Sequence, residues 1–261
     1  MKQFKSLPPH IARNIKYCLF DIDDTITANG KLPAASYSAL WDLHGAGLKT
    51  IPVTGRPAGW CDMIIRQWPV DAVIGENGAF CFYRKNETYS ILTHPMAKSD
   101  SKNALNDIMR ACLSGVPGAR VAKDQFARLY DLSIDFNEDE PRLGLEAADK
   151  LRSICESYGA KAKVSSIHVN TWFGEYDKLS MAQLMFAEVF NDGGFNERSV
   201  FFGDSPNDEP MFGFFENSCA VANIIPFFDK LKEKPVYVAE KESSEGFCEC
   251  VDLILKKGVN T

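Results

Sequence analysis

The sequence predicts an α/β fold, a doubly wound parallel sheet interrupted by an inserted α+β domain. Three observations point to it. Short apolar runs end in polar clusters, as where Tyr17-Cys18-Leu19-Phe20 is followed by Asp21-Ile22-Asp23-Asp24, the mark of buried parallel strands with polar carboxyl ends. Strand-like and helix-like segments alternate at both ends of the chain. In the middle that alternation fails and hairpin patterns replace it.

Residues 17–20 read as the first strand. Residues 35–44 then read as a helix closed by Gly45 and Gly47, 48–53 as a strand, 58–68 as a helix after Pro57, and 72–74 as a short strand. Beyond Asn77-Gly78, residues 79–83 and 89–92 form a hairpin pattern around the polar turn Arg84-Lys85-Asn86-Glu87. Residues 104–112 and 143–158 read as helices, and 129–136, 162–164 and 167–172 as strands, a mixture that predicts a separate α+β domain. From Lys178 the βα rhythm returns: a helix to Phe190, a strand over 199–202, a helix over 207–215, strands over 218–221 and 236–239, and a closing helix over 245–256. The expected division is a Rossmann-like core over residues 1–83 and 176–261, with the insertion over residues 84–175.

With 261 residues, 45% apolar and 25% charged, the chain has the composition of an ordinary globular protein and is long enough for a sizeable core. A net charge of −6 and a pI near 5.3 argue against a general nucleic-acid or acidic-membrane binder. The eight cysteines show no C-x-x-C pair and no zinc spacing, so they are expected to be reduced and mostly buried. No apolar h-region opens the chain, and no apolar run approaches the ~20 residues of a membrane span. A soluble, cytoplasmic protein is expected, with a small phosphorylated metabolite as its partner and neither nucleic acid nor membrane.

Open α/β sheets bind ligands at the carboxyl ends of their strands, and four such places carry chemistry. They are Asp21-Ile22-Asp23-Asp24-Thr25, Thr54-Gly55-Arg56, Asp177-Lys178, and Gly203-Asp204-Ser205-Pro206-Asn207-Asp208. Carboxylates as crowded as Asp21 and Asp23 stay ionised most easily beside a divalent cation. Oxygen ligands favour Mg²⁺ over zinc, and Asp204 and Asp208 supply further negative charge. The Thr54 hydroxyl and the Lys178 ammonium suit phosphoryl oxygens.

D-x-D-x-T as Asp21, Asp23 and Thr25, the threonine of T-G-R at Thr54, Lys178, and G-D-x-x-N-D from Gly203 to Asp208 resemble, in order, the four motifs of the haloacid dehalogenase superfamily. The insertion, preceded by Glu76-Asn77-Gly78-Ala79, looks like the larger α/β cap of the Cof-like and sugar-phosphatase subfamily, in layout rather than in motif. The resemblance implies a Mg²⁺-dependent phosphatase in which Asp21 is the nucleophile that forms an aspartyl-phosphate. Asp23 would protonate the leaving alkoxide and then activate water. Thr54, Gly55, Lys178 and Asn207 would hold the phosphoryl group, Asn207 also ordering its loop. Asp21, Asp23 through its backbone carbonyl, and Asp204 would bind Mg²⁺, with Asp208 as a ligand or beside it. Asp24 stands where many relatives have glycine, which adds a carboxylate next to the site.

Around this set, Arg56 reads equally as a substrate contact or as the partner of a carboxylate. Asn77, before the insertion, is a candidate substrate contact. So are His168 and Asn170, which alternate with Ile167 and Val169 and share one side of a strand. Trp172 is read as a packed aromatic in preference to a sugar platform, and Phe212, Phe214, Phe215, Phe227 and Phe228 as core. The cap layout suggests a sugar or polyol phosphate. A phosphomutase on the same fold and a non-catalytic phosphometabolite sensor are the rival readings; inorganic phosphate release separates hydrolysis from both.

Overall fold

The computed structural model describes residues 1–85, 88–98 and 101–258, so Asn86 and Glu87 of the expected turn lie outside the described residues. Along the chain run β1 (Lys2–Gln3), α1 (Pro9–Asn14), β2 (Tyr17–Phe20), α2 (Ala34–Gly45), β3 (Lys49–Pro52), α3 (Ala58–Gln67), β4 (Ala72–Gly75), β5 (Phe80–Lys85) and β6 (Thr88–Thr93). Then come α4 (Lys102–Gly115), β7 (Arg120–Val121), β8 (Leu132–Asp135), α5 (Gly144–Ser157), β9 (Lys161–Val164) and β10 (His168–Trp172). The chain closes with α6 (Lys178–Met185), β11 (Ser199–Gly203), α7 (Glu209–Phe214), β12 (Ser218–Ala220), β13 (Tyr237–Val238) and α8 (Ser243–Gly258).

In the core sheet β1, β13, β12, β11, β2 and β3 lie side by side in that order, all parallel. Burial on both faces explains why β2 is an unbroken apolar run. Tyr17 and Leu19 pack in one cluster with Met181 and Met185 of α6 and Phe212 of α7. Cys18 and Phe20 pack on the opposite face with Leu40 of α2 and Phe247 of α8. Neighbouring β11 divides the same way, Phe201 to one side, Val200 and Phe202 to the other. Because β2 leads to β3 on one side and pairs with β11 on the other, their carboxyl ends flank a topological switch point, the usual ligand position in such sheets.

Residue 84, the expected start of the insertion, lies within β5 of a hairpin. β5 pairs with β4 as well as with β6, and β4 extends the core sheet through the parallel bridge Val53–Ile74. Phe80 and Cys81 anchor β5 in the two core clusters, and β6 follows its partner.

A second, antiparallel sheet carries the order β7, β8, β10, β9. Ile108 and Cys112 of α4 and Leu151 and Cys155 of α5 cover one face, meeting Ile134 and Val169. Side chains alternate across a strand, so His168 and Asn170 turn to the other face, opposite Asp135 and Ser133 of β8. All four are polar yet buried.

β1, α1 and β7 escape the sequence pattern because two to six residues are too few to establish a period. The helix expected to reach Phe190 ends as an α-helix at Met185 and continues as a π-turn, Phe186–Phe190. Among the described residues no helix is long and apolar enough to cross a membrane.

Candidate active site

Asp21 follows β2, and its backbone N–H donates to the Phe202 carbonyl at 2.9 Å, tying the ends of β2 and β11 together. Asp204 follows β11. The next turn folds Asp208 back so that its Oδ2 accepts from the N–H groups of Asp204 at 3.1 Å and Ser205 at 3.4 Å. Glycine at 203 permits this, since a Cβ there would stand 2.5 Å from Asp208 Oδ2. Lys178 opens α6, whose end is capped by Asp177 accepting from Ser180 N–H at 2.8 Å. From there its Nζ donates to Asp21 Oδ1 at 2.8 Å and Asp208 Oδ1 at 2.7 Å.

Asp21, Asp204 and Asp208, all buried, each bring a carboxylate oxygen within 4.8 Å of the others'. Thr25 Oγ1 donates to Asp204 Oδ1 at 3.3 Å. Burial, together with the charges of Asp208 and Asp23, pushes the Asp21 carboxyl up to about 7 against the pull of Lys178. Burial and the neighbouring carboxylates push Asp204 well above the usual range. Burial disfavours the Lys178 ammonium, but Asp208 and Asp21 prevail and raise its pKa. One ammonium against three carboxylates leaves the cluster short of positive charge, and an all-oxygen donor set fits a hard divalent cation.

The Asp23 side chain lies outside this cluster, which leaves only its backbone carbonyl for a cation held there. Its carboxylate instead receives Arg56, with Nε 2.9 Å from Oδ2 and Nη2 2.8 Å from Oδ1. Arg56 also donates to Glu138 Oε1 at 3.0 Å and Asp124 Oδ2 at 3.3 Å, and its guanidinium lies 4.3 Å over the Trp60 ring. Of the two readings of Arg56, the geometry gives the carboxylate partner. Since Asp124 and Glu138 belong to the inserted unit, the buried guanidinium bridges the two halves of the molecule.

Thr54 is buried, and its Oγ1 accepts from Arg56 N–H at 3.0 Å. Gly55 meets the insertion closely: a Cβ on it would stand 2.7 Å from Asn170 Nδ2. A cavity of ≈ 10 Å³, room for about one water, is bounded by Asp21, Asp23, Gly55 and Arg56 of the core's first half, Ser165, His168 and Asn170 of the insertion, and Asn207. Asn207 Oδ1 accepts from Ser205 Oγ at 2.8 Å. Asn77 does not border this cavity; its Nδ2 donates to Asp131 Oδ2 at 3.4 Å and its backbone N–H to the Thr54 carbonyl at 3.1 Å. Trp172 is buried in the core cluster, stacked on Tyr176.

Three residues of this region, Arg128, Asp124 and Glu138, carry no mark in the sequence pattern, and a fourth, Glu76, figures there only within Glu76-Asn77-Gly78-Ala79. Glu76 accepts from the N–H groups of Ala58 at 3.0 Å, Leu129 at 2.8 Å, Tyr130 at 2.6 Å and Asp131 at 3.2 Å, stapling the insertion to the core. Burial and the Asp131 charge push its carboxyl up to about 7, against those N–H donors. Arg128 donates to the Gly55 carbonyl at 2.9 Å. Asp124 and Glu138 hold Arg56, and Glu138 Oε2 also lies 2.9 Å from His168 Nε2. Only Glu76, at a strand end beside Asn77-Gly78, stood where such a residue is worth inspecting.

Residues 18–114 match the family model of the haloacid dehalogenase-like hydrolases. No curated protein is matched by the sequence. Among solved structures, a protein from Thermoplasma acidophilum superposes with a TM-score of 0.72 at 18% identity, covering 92% of this chain and 98% of that one. The C-terminal domain of trehalose-6-phosphate phosphatase from C. albicans gives 0.73 at 13% identity, covering 98% and 97%. A haloacid dehalogenase subclass IIB sugar phosphatase gives 0.64 at 15% identity, covering 91% and 98%. At these identities the likeness is one of fold.

Proposed function

We propose that this chain, whose residues 18–114 match the haloacid dehalogenase-like hydrolases, is a Mg²⁺-dependent phosphatase acting on a small phosphate monoester, a sugar or polyol phosphate, through an aspartyl-phosphate. One arrangement carries this reading: Asp21 beside Asp204 and Asp208, with the Lys178 ammonium bonded to Asp21. The substrate class draws support from fold neighbours that are themselves named as phosphatases of sugars or sugar phosphates. The eight free cysteines fit a reducing, cytoplasmic setting.

Asp21, Asp204 and Asp208, with the backbone carbonyl of Asp23, would hold Mg²⁺, which when bound supplies positive charge to the phosphoryl oxygens. In the first step an Asp21 carboxylate oxygen bonds to phosphorus while the bond to the leaving-group oxygen breaks. Asp23 hands that oxygen a proton, and later takes one from the water that splits the aspartyl-phosphate. To reach either oxygen, Asp23 exchanges its contact with Arg56 for one with the reacting groups. Lys178, Thr54, Gly55 and Asn207 orient the phosphoryl group. Removal of a general acid lowers turnover by roughly 10² to 10⁴.

The test is phosphate release by the purified protein from a panel of phosphate monoesters with Mg²⁺. Release that stops with EDTA and returns with Mg²⁺, falls by roughly 10²–10⁴ in Asp23→Asn and is almost absent in Asp21→Asn is the expected result. Near-normal turnover by Asp21→Asn, or isomer formation without phosphate release, refutes it.

A further inference from the structure

Two clefts share walls with the cavity at Asp21. One, of ≈ 210 Å³, meets it at Asp23 and Arg56. The other, of ≈ 250 Å³, meets it at Ser165 and Asn207. In phosphoryl transfer the attacking and leaving oxygens lie roughly in line on opposite sides of phosphorus, and a general acid stands within hydrogen-bond reach of the oxygen it protonates. With Asp21 attacking and Asp23 as the acid, the leaving oxygen lies on the Asp23 side, while Asn207 faces the phosphoryl oxygens. Whatever that oxygen carries continues away from Asp21 and past Asp23, and of the two clefts only the first borders Asp23.

The core side of this cleft is drawn from the segment between Asp23 and Gly30, which follows Asp21 directly along the chain and stays beside Asp23 when the insertion moves. A tight turn fixes its rim: Ala28 and Lys31 exchange N–H to carbonyl bonds at 2.8 and 3.0 Å, with Asn29 and Gly30 between them at φ 51° and 69°. The facing wall belongs to the insertion, where Asp135 Oδ1 accepts from the N–H groups of Asn137 at 2.9 Å and Glu138 at 2.8 Å. Asn137 Nδ2 donates to the Ser166 carbonyl at 3.2 Å, which fixes the orientation of its amide. Each wall thus presents one amide side chain on backbone already held by hydrogen bonds, and polar groups positioned in advance discriminate between ligands.

Resting on the phosphatase reading, we propose that the leaving group occupies the cleft beyond Asp23, and that Asn29 from the core and Asn137 from the insertion are the specificity-determining residues that read it. The cleft beyond Asn207, with Lys163 and Phe227 on its walls, takes no part in selecting the leaving group.

The experiment compares kcat/KM of the Mg²⁺-loaded, full-length protein on hexose phosphates with that on acetyl phosphate, whose leaving group is small. In Asn137→Ala the ratio of hexose phosphate to acetyl phosphate activity should fall about tenfold, and Asn29→Gly, which the turn accepts, should lower it in the same direction. Ser166→Phe, which fills the cleft, should lower it at least about tenfold. Lys163→Ala and Phe227→Ala, in the other cleft, should leave the ratio unchanged. A ratio that falls in the Lys163 and Phe227 variants as much as in the Asn137 variant, or that moves in none of them, overturns the inference and leaves the phosphatase reading intact. Equal loss on both substrates in Asn137→Ala and Ser166→Phe also overturns it, because those residues then serve the phosphoryl group or the fold and do not select the leaving group. No phosphate release by the unmodified protein from any of these substrates overturns both.

Discussion

Lys178 sets the charge balance of the buried carboxylate cluster, because its single ammonium is shared by Asp21 and Asp208. Lys178→Met keeps the length of the side chain and removes the charge, leaving three buried carboxylates to repel one another. Removing one partner of a buried ion pair costs about 3–5 kcal/mol. That loss is expected in chelator-treated protein, with Mg²⁺ restoring more stability to the variant than to the wild type; urea unfolding with and without Mg²⁺ measures both. Asp24 is instructive at the same scale. Its φ of 54° lies in the left-handed region, where glycine is at ease and aspartate is among the few other residues tolerated. A glycine at this position would answer the same backbone demand. The aspartate here meets the same demand and adds a carboxylate that raises Asp204 further.

At the scale of elements, the turn after β11 depends on a missing side chain. Gly203→Ala places a methyl group 2.5 Å from Asp208 Oδ2 and must push that carboxylate off Lys178 or off the Asp204 and Ser205 N–H groups. Overpacking of this kind costs about 1–3 kcal/mol, and the variant is expected to lose Mg²⁺ affinity together with stability, as calorimetric titration with Mg²⁺ would show. β10 makes the second link, through His168 to Glu138. The hydrogen bond from His168, then the charges of His168 and Arg56, hold the Glu138 carboxyl down at about 2, from an ordinary value of 4.5. A carboxyl depressed by folding contributes stability present above its unfolded pKa and lost as pH falls through the folded one. The melting-temperature advantage of wild type over Glu138→Gln is thus expected near pH 5 and should shrink towards pH 2; an advantage that does not vary with pH contradicts the link.

For the whole molecule the decisive fact is closure. The cavity at Asp21 has room for about one water, so a phosphorylated substrate enters only when the inserted unit moves away from the core. Arg56 and Glu76 are the fasteners, each joining core backbone or side chains to residues of the insertion. Arg56→Ala removes one fastener and leaves Asp124 and Glu138 without their shared cation. Faster amide hydrogen exchange is expected in residues 129–138 and in β10, with little change in the core strand β2. Uniform exchange across all strands would instead mean that the substitution loosens the fold as a whole.

The places of the core strands β2, β3, β11 and β12 along the chain and the four polar segments were legible in the sequence because both are local. A continuous apolar run states that a strand is buried on both faces, and the residue after it is at the strand's carboxyl end whatever the rest of the chain does. Asp21 and Asp204 met because β2 and β11 lie side by side in parallel, while a turn and the start of α6 bring in Asp208 and Lys178. Even the shared orientation of His168 and Asn170 followed from the pleat of one strand. Tertiary structure alone decided that the Asp23 carboxylate turns to Arg56, that Arg56 is consumed by acids, that Asn77 turns to Asp131 without facing the cavity, and that the hairpin of β5 and β6 pairs with β4. These contacts join residues far apart along the chain, 33 positions for Arg56 and Asp23 and 82 for Arg56 and Glu138. Charges paired over such distances leave no periodicity behind, and only the packed chain determines which carboxylate finds which cation.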